Sequence, residues 1–282
     1  MTLFWSIFLF IIGAACGSFV GALVHRLKKG GRAWRDFWLI KGKYSRSVCE
    51  HCSHRLAVRD LIPIVSWLVL RGKCRHCRQL IGWSTLWLEI GIGTAFMLSY
   101  LFWPIGFATW VQIVGFVLWL VTVILMAALL VYDARWRILP NKLMWPLIGV
   151  CLLQVVISFV VFATHGWGIA WQYVGNIALA LIPVFGVYLL LYLVSRGALV
   201  GLGDVRFGLV VALLLADWRL ALTVLAFANL VGSLFVLPQL ITKKLHAKSQ
   251  IAFGPFLIIA TYLTFLCAEP IVDFINKYLL LS

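Results

Sequence analysis

The sequence predicts an all-α integral membrane protein, a polytopic bundle of about eight helical spans. Of its 282 residues, 63% are hydrophobic and only 12% are charged, and the mean hydropathy is +1.03. A soluble domain is closer to half apolar and a quarter charged, so this chain has more apolar surface than one globular core can bury. Few strand-like alternations interrupt the apolar runs, and helices satisfy their own backbone hydrogen bonds in lipid.

The predicted spans are apolar runs long enough to cross roughly 30 Å of hydrocarbon at about 1.5 Å per residue. The run at 205–216 is shorter, and residues 271–281 form a weakly amphipathic tail. Residues 3–24 lack a basic start and a small-residue cleavage site, which predicts an anchor and not a removable signal. The full-length runs are 3–24, 84–103, 110–132, 143–163, 172–194, 219–241 and about 251–268.

The basic residues lie almost entirely on one side of the predicted membrane. The polar segment 25–82 holds 14 of the 24 Lys and Arg residues, and counting 205–216 as an eighth crossing places 22 of the 24 on that side. Only Arg219 and Lys277 then lie on the other side. This positive-inside pattern predicts a cytoplasmic 25–82 segment and an N-terminus on the outer side. It also explains the formal net charge of +15 without a nucleic-acid partner.

Four of the seven cysteines lie in the predicted cytoplasmic segment as two CxxC pairs, Cys49 with Cys52 and Cys74 with Cys77. Two such pairs at this spacing predict a four-thiolate site, with zinc as the expected metal, and unligated thiols are the alternative. The segment has few large apolar residues, so the metal is expected to be structural. The predicted domains are a first span at 1–24, a small zinc-binding domain at 25–82 between the first and second helices, and a membrane bundle at 83–282.

Three acidic residues lie inside or at the ends of predicted spans. Asp133 ends a long apolar run, Asp204 precedes the run at 205–216, and Glu89 lies within the second span. Ionisable groups at membrane depth are costly, which makes each of them a candidate functional residue. Pairing with a nearby arginine such as Arg206 is the alternative.

The predicted topology places Asp133 and Asp204 at the same depth on the cytoplasmic side. Two carboxylates brought close together share one proton, since both cannot ionise comfortably. This suits aspartic proteolysis, in which one carboxylate takes a proton from water and the other protonates the scissile carbonyl oxygen. Gly201 and Gly203 would let backbone or substrate approach closely and would permit positive φ. A proton-coupled transporter that also uses Glu89, and a non-enzymatic scaffold that docks through its metal domain, are the other interpretations.

Five motifs follow one another over about 240 residues: CGSFVGALVHRL, IPIVSWLVLRGKCRHC, YDARWRILPN, GLGDVRFG and IAFGPFL. In this order they resemble the motifs of the type IV prepilin peptidases, whose members also process pseudopilins of type II secretion. The resemblance implies an intramembrane aspartic peptidase of the GxGD type, with Asp133 and Asp204 as its catalytic pair. The substrate would be a prepilin or pseudopilin in the bacterial inner membrane, cleaved on the cytoplasmic side between a short basic leader ending in Gly and an apolar helix. Contacts with pilus or secretion machinery are implied as well.

Many members of that family also methylate the new N-terminal amine with S-adenosylmethionine, an activity tied to the cysteine domain. Glu89, at the position of a family glutamate, either serves this second reaction or pairs with a cytoplasmic cation. The departures from the family pattern, at Gly21, Glu50 and residues 84–86, lie in the region associated with methyl transfer. A peptidase without methyltransferase activity is therefore the alternative.

Overall fold

The protein is predominantly helical in the residues that the computed structural model describes, which are 1–29, 49, 51–52, 54–242 and 252–278. These residues contain no β-strand, so the predicted all-α class is confirmed. The helices are α1 (Thr2–Lys29), α2 (Val65–Val69), α3 (Trp83–Leu101), α4 (Trp110–Trp136), α5 (Asn141–His165), α6 (Trp167–Leu181), α7 (Val187–Ser195), α8 (Leu202–Leu215), α9 (Trp218–Ile241), α10 (Gly254–Leu266) and α11 (Ala268–Tyr278).

Several predicted features lie outside the described residues. These are positions 30–48, 50 and 53 of the zinc-binding domain, the basic positions 243–248, the start of the seventh predicted span at 251 and the end of the tail at 279–281.

Among the described residues, five helical segments are long and apolar enough to cross a membrane, or six if a bent pair counts as one span. The bent pair is α10 with α11, which meet at 82°. The predicted number of eight is not confirmed. Helix α8 has 14 residues, which gives about 21 Å of helix against roughly 30 Å of hydrocarbon. The five segments are α1, α4, α5, the joined α6 and α7, and α9.

The chain divides into two compact units, Met1–Trp103 and Pro104–Ser282. In the first unit, α1 and α3 pack backbone to backbone. A β-carbon on Gly13 would lie 2.7 Å from the Ile92 carbonyl oxygen, and one on Gly17 would lie 2.7 Å from Glu89 Cα. Small residues spaced four apart allow such close approach between membrane helices. The Gly17 contact places the backbone of α1 directly against Glu89.

In the second unit, the single span predicted at 172–194 is a longer helix with an irregular turn. A π-helical turn at Ile182–Gly186 joins α6 to α7. Pro183 lies in this turn, and a proline cannot donate the hydrogen bond that a regular helix requires. Gly208 of α8 packs against the turn, because a β-carbon there would lie 3.0 Å from Phe185 Cα.

The two ends of the second unit carry different polar contacts. At one end, α4 stops just after Asp133, and α5, α8 and α10 begin. At the other end, Arg219 donates hydrogen bonds to Asp217 and, at 2.6 Å, to Asn276 of α11. The second unit therefore gathers the aspartates predicted to act together at one end of its bundle.

Candidate active site

Asp133 is a buried carboxylate in the last turn of α4. Its side chain is 5% exposed, and its Oδ2 accepts a hydrogen bond from the backbone N–H of Gly254 at 3.1 Å. Gly254 is the first residue of α10 and is followed by Pro255, a position where the missing N–H of proline costs no helical hydrogen bond. The positive end of the α10 dipole thus faces the Asp133 carboxylate.

Asp204 lies in the first turn of α8 and is half-buried. The negative charge of Asp133 acts on it, and the backbone of Gly201 hydrogen-bonds to its carboxylate. The structure therefore brings the two predicted acids within electrostatic range of each other. Each of them has a glycine N–H as a partner.

Gly201 and Gly203 do not adopt the positive φ that glycine permits. Gly201 is extended, with φ −77°, and Gly203 lies within α8, while the left-handed residues of this loop are Arg196 and Gly197. The predicted close approach is present at Gly203, where a β-carbon would lie 2.8 Å from Leu139 Cβ. The helix that carries Asp204 can begin here because Gly203 has no side chain.

Leu139 and Gly254 are site residues that the sequence analysis did not single out. Leu139 packs against Gly203, and a β-carbon on Gly254 would lie 3.4 Å from Leu139 Cδ2 and 2.7 Å from Asp133 Oδ2. Leu139 therefore contacts both Gly203, next to Asp204, and Gly254, which holds Asp133. Leu139 lies in the motif YDARWRILPN and Gly254 in the motif IAFGPFL, but no sequence pattern indicates that these two motifs meet.

Arg206 does not serve as the counter-ion that the sequence left open for Asp204. Its guanidinium donates a hydrogen bond to the side-chain oxygen of Asn141, and it lies 5.9 Å from the centre of the Trp145 ring. Both contacts are with α5. Arg206 thus joins the start of α8 to the start of α5 and stabilises the end of the bundle that holds the acids.

The four predicted metal ligands converge in the first unit. The Sγ atoms of Cys49, Cys52, Cys74 and Cys77 all lie within 4.8 Å of one another, and those of Cys49 and Cys77 are 3.8 Å apart. Tetrahedral zinc with Zn–S bonds of about 2.3 Å has S···S edges of about 3.8 Å, so the donor set and its spacing fit this metal. The backbone N–H groups of Cys77 and His76 lower the pKa of the Cys74 thiol to about 7, which favours the thiolate that binds metal.

Glu89 is buried in α3 and holds a turn of the segment between α1 and α3. Its side chain is 4% exposed, its Oε2 accepts the Ile64 N–H at 2.6 Å, and the Ser18 side chain also hydrogen-bonds to it. Ile64 has φ 63°, a strained conformation for a β-branched residue. The carboxylate thereby fixes the backbone just before α2.

A small cavity of about 110 Å³ lies between Glu89 and the cysteine cluster. Glu89, Thr85, Trp67 and Cys74 are among the residues that line it. The indole Nε1 of Trp67 is buried and has no hydrogen-bond partner within the described residues. Because Cys74 belongs to both the cavity wall and the thiolate cluster, any metal held there would also fix the shape of the cavity.

Residues 11–103 match the family described as Bacterial Peptidase A24 N-terminal domain. The chain is also similar to curated proteins named prepilin leader peptidase/N-methyltransferase. The protein of this name from Klebsiella pneumoniae is 32% identical over 203 residues, which cover 72% of this chain and 81% of that protein. Those from Stutzerimonas stutzeri and Dickeya chrysanthemi are each 29% identical, over 277 and 272 residues, and cover 93% and 91% of this chain and 90% of each relative. No solved structure matches the chain.

Proposed function

Because the chain belongs to the prepilin leader peptidase/N-methyltransferase family, we propose that it cleaves the leader peptide of type IV prepilins, type II secretion pseudopilins or both. The observation that carries this proposal is the buried Asp133, held by the Gly254 N–H with Asp204 in electrostatic range. One carboxylate accepts a proton from the attacking water while the other donates its proton to the carbonyl oxygen. As the tetrahedral intermediate collapses, the carboxyl that took the proton from water passes it to the nitrogen, the C–N bond breaks, and the leader acid and a new N-terminal amine are released.

The proposed site lies at the cytoplasmic face of the bacterial inner membrane, with the N-terminus on the outer side. This placement rests on the distribution of Lys and Arg, 22 of 24 of which fall on one side of the predicted topology. A prepilin leader is basic and would remain on that same side. Asp133 and Asp204, at the ends of their helices, would meet the peptide bond where its apolar helix leaves the membrane.

Replacement of each aspartate by asparagine tests the mechanism. Purified full-length protein would be incubated with a prepilin, and the product N-terminus would be read by mass spectrometry. Asp133→Asn and Asp204→Asn should abolish cleavage, because asparagine keeps the shape of the side chain but cannot transfer the proton. Asp273→Asn, an exposed change on α11, is the matched control and should cleave normally. Normal cleavage by either site variant would contradict the aspartate mechanism and favour a transporter or a scaffold.

A second proposed activity is methylation of the new N-terminal amine, which the names of the relatives suggest. The observation that favours it is the cavity beside Glu89, where a buried carboxylate and an unpartnered indole N–H line a space next to the cysteine cluster. The carboxylate would hold the substrate ammonium and accept its proton. S-adenosylmethionine would supply the methyl group. Pockets that hold small-molecule ligands measure about 300–1,000 Å³, so this cavity of about 110 Å³ is too small for the whole donor.

Separate measurements of cleavage and methylation test this second activity. Glu89→Gln keeps an acceptor for the Ile64 N–H but removes the charge, so cleavage should persist while methylation falls. Cys49→Ser should lower both the bound zinc, measured by elemental analysis, and methylation, since the cavity shares Cys74 with the cluster. Full methylation by both variants would refute the proposed role of Glu89 and of the cysteine cluster in this reaction.

A further inference from the structure

Tyr188, in the first turn of α7, has a buried hydroxyl that the proposed mechanism does not use. The residue is 4% exposed, and its hydroxyl has no hydrogen-bond partner within the described part of the chain. A buried hydroxyl without a partner destabilises a protein, whereas phenylalanine would fill nearly the same space at no such cost. The hydroxyl therefore calls for a partner that is not part of the described chain.

The packing of the π-helical turn brings Tyr188 opposite Asp204. Gly208 of α8 contacts Phe185 in the turn, and Asp204 lies one helical turn before Gly208 on the same face of α8. The two segments run in opposite directions, since α7 ends and α8 begins at the same end of the bundle. The residues one turn after Phe185 therefore lie level with Asp204, and Tyr188 is one of these residues. The π-helical turn adds one residue to its helix and so rotates the side chains that follow it, and such turns are frequent at functional sites.

The other neighbours of Tyr188 also belong to the site. Its ring packs edge-on against Phe253 at 6.0 Å between centroids, and Phe253 precedes the glycine that holds Asp133. The charge of Asp204 acts on Tyr188, and the Asn229 side chain of α9 lies beside its hydroxyl. Tyr188 is thus linked to both acids, to Asp204 directly and to Asp133 through the Phe253–Gly254 segment.

We propose that the Tyr188 hydroxyl donates a hydrogen bond to the carbonyl oxygen of the scissile peptide bond. The inference rests on the proposed peptidase function. As water adds to the carbonyl carbon, the oxygen gains negative charge until a carboxyl proton reaches it, and a donor aimed at this atom stabilises that transition state. Tyr188 keeps its own proton, and the aspartate pair makes both proton transfers. The unpartnered hydroxyl is thus a donor whose acceptor arrives with the substrate.

Steady-state kinetics of Tyr188→Phe test the proposal in the full-length enzyme with a prepilin substrate. Loss of one such donor should lower kcat by about 100- to 1,000-fold with little change in KM. The unfolding temperature should stay the same or rise, because the variant removes an unsatisfied hydroxyl. Tyr192→Phe is the matched control, since Tyr192 lies one turn further along α7, where its ring packs on Gly197, and it should keep the wild-type kcat.

The Asp133→Asn and Asp204→Asn proteins separate failure of this proposal from failure of the peptidase mechanism. If both are inactive and Tyr188→Phe keeps the wild-type kcat, the aspartate mechanism stands and the role of Tyr188 is refuted. A change in KM alone would also refute it, because the hydroxyl would then bind ground state and transition state equally. If an aspartate variant cleaves normally, the peptidase mechanism itself fails.

Discussion

The hydrogen bond between Gly254 and Asp133 predicts that Gly254→Ala disables the site without unfolding the protein. A β-carbon at this position would lie 2.7 Å from Asp133 Oδ2 and 3.2 Å from its Cγ. Asp133 is 5% exposed. Either the carboxylate or the start of α10 must therefore move away from the other.

The size of this movement sets the expected loss of activity. Restoring an ordinary contact of 3.4 Å from 2.7 Å takes a displacement of about 0.7 Å, which stretches the 3.1 Å hydrogen bond beyond its normal range. A hydrogen bond to a charged group contributes about 1.5–3 kcal/mol, and about 1.4 kcal/mol corresponds to a tenfold change in rate. Misplacement of a catalytic group by about 1 Å has a similar effect. We expect kcat for cleavage to fall by about 10- to 100-fold.

The assay compares initial cleavage rates of wild type, Gly254→Ala and Gly115→Ala. Gly115 is the matched control because it lies on α4, the same helix as Asp133, and a β-carbon there would have nothing within 4 Å. Unfolding temperatures would show that all three proteins are folded. A folded Gly254→Ala protein with the wild-type rate would refute the reasoning, because Asp133 would then not depend on this contact.

Three further predictions concern the start of α8, the cysteine cluster and Asp217. Gly203→Ala should lower the cleavage rate more than Gly201→Ala. The β-carbon added at position 203 would lie 2.8 Å from Leu139, whereas the one added at position 201 would lie 3.4 Å from its nearest neighbour. Equal rates of the two variants in the cleavage assay would contradict this prediction. Removal of metal from the cysteine cluster with a chelator should lower the unfolding temperature of the wild type but not that of a Cys49→Ser protein, as followed by thermal denaturation. Burial raises the pKa of Asp217, but hydrogen bonds from Arg219 lower it more, so the pKa lies below its usual value. The ionised carboxylate therefore stabilises the folded state above about pH 4, and this stabilisation is lost as the pH falls further. Asp217→Asn should weaken the acid dependence of the unfolding temperature.

The helices were predictable because each depends on a local pattern. The predicted run at 110–132 lies inside α4, and the run at 143–163 lies inside α5. Features that depend on neighbouring helices were not predictable. The π-helical turn is stabilised by Gly208 of another helix, and the 82° bend between α10 and α11 is accompanied by the bond from Arg219 to Asn276.

The site was predictable in its acids and cysteines but not in what holds the acids. Asp133, Asp204 and the CxxC pairs are chemically conspicuous in an apolar chain. Gly254, Leu139 and Tyr188 are ordinary residues of an apolar chain, and their importance arises only from contacts with residues on other segments, at least 16 positions away. Gly203 illustrates the same limit, since this glycine serves where Leu139 leaves no room for a β-carbon and not where φ is positive.

The position of the two acids at helix ends favours hydrolysis over proton transport. A transporter relay places ionisable groups near the bilayer midplane, usually on broken helices, so that protons move across the membrane. Asp133 lies in the last turn of α4 and Asp204 in the first turn of α8, at the same end of their bundle. The first N–H groups of a helix have no partner within the helix, so they can bind a carboxylate. The N–H of Gly254 binds Asp133 in this way. A peptide bond to be cleaved must likewise leave its own helix, which is easiest where the apolar segment ends, so the same membrane edge that supplies the donors also supplies an extended substrate.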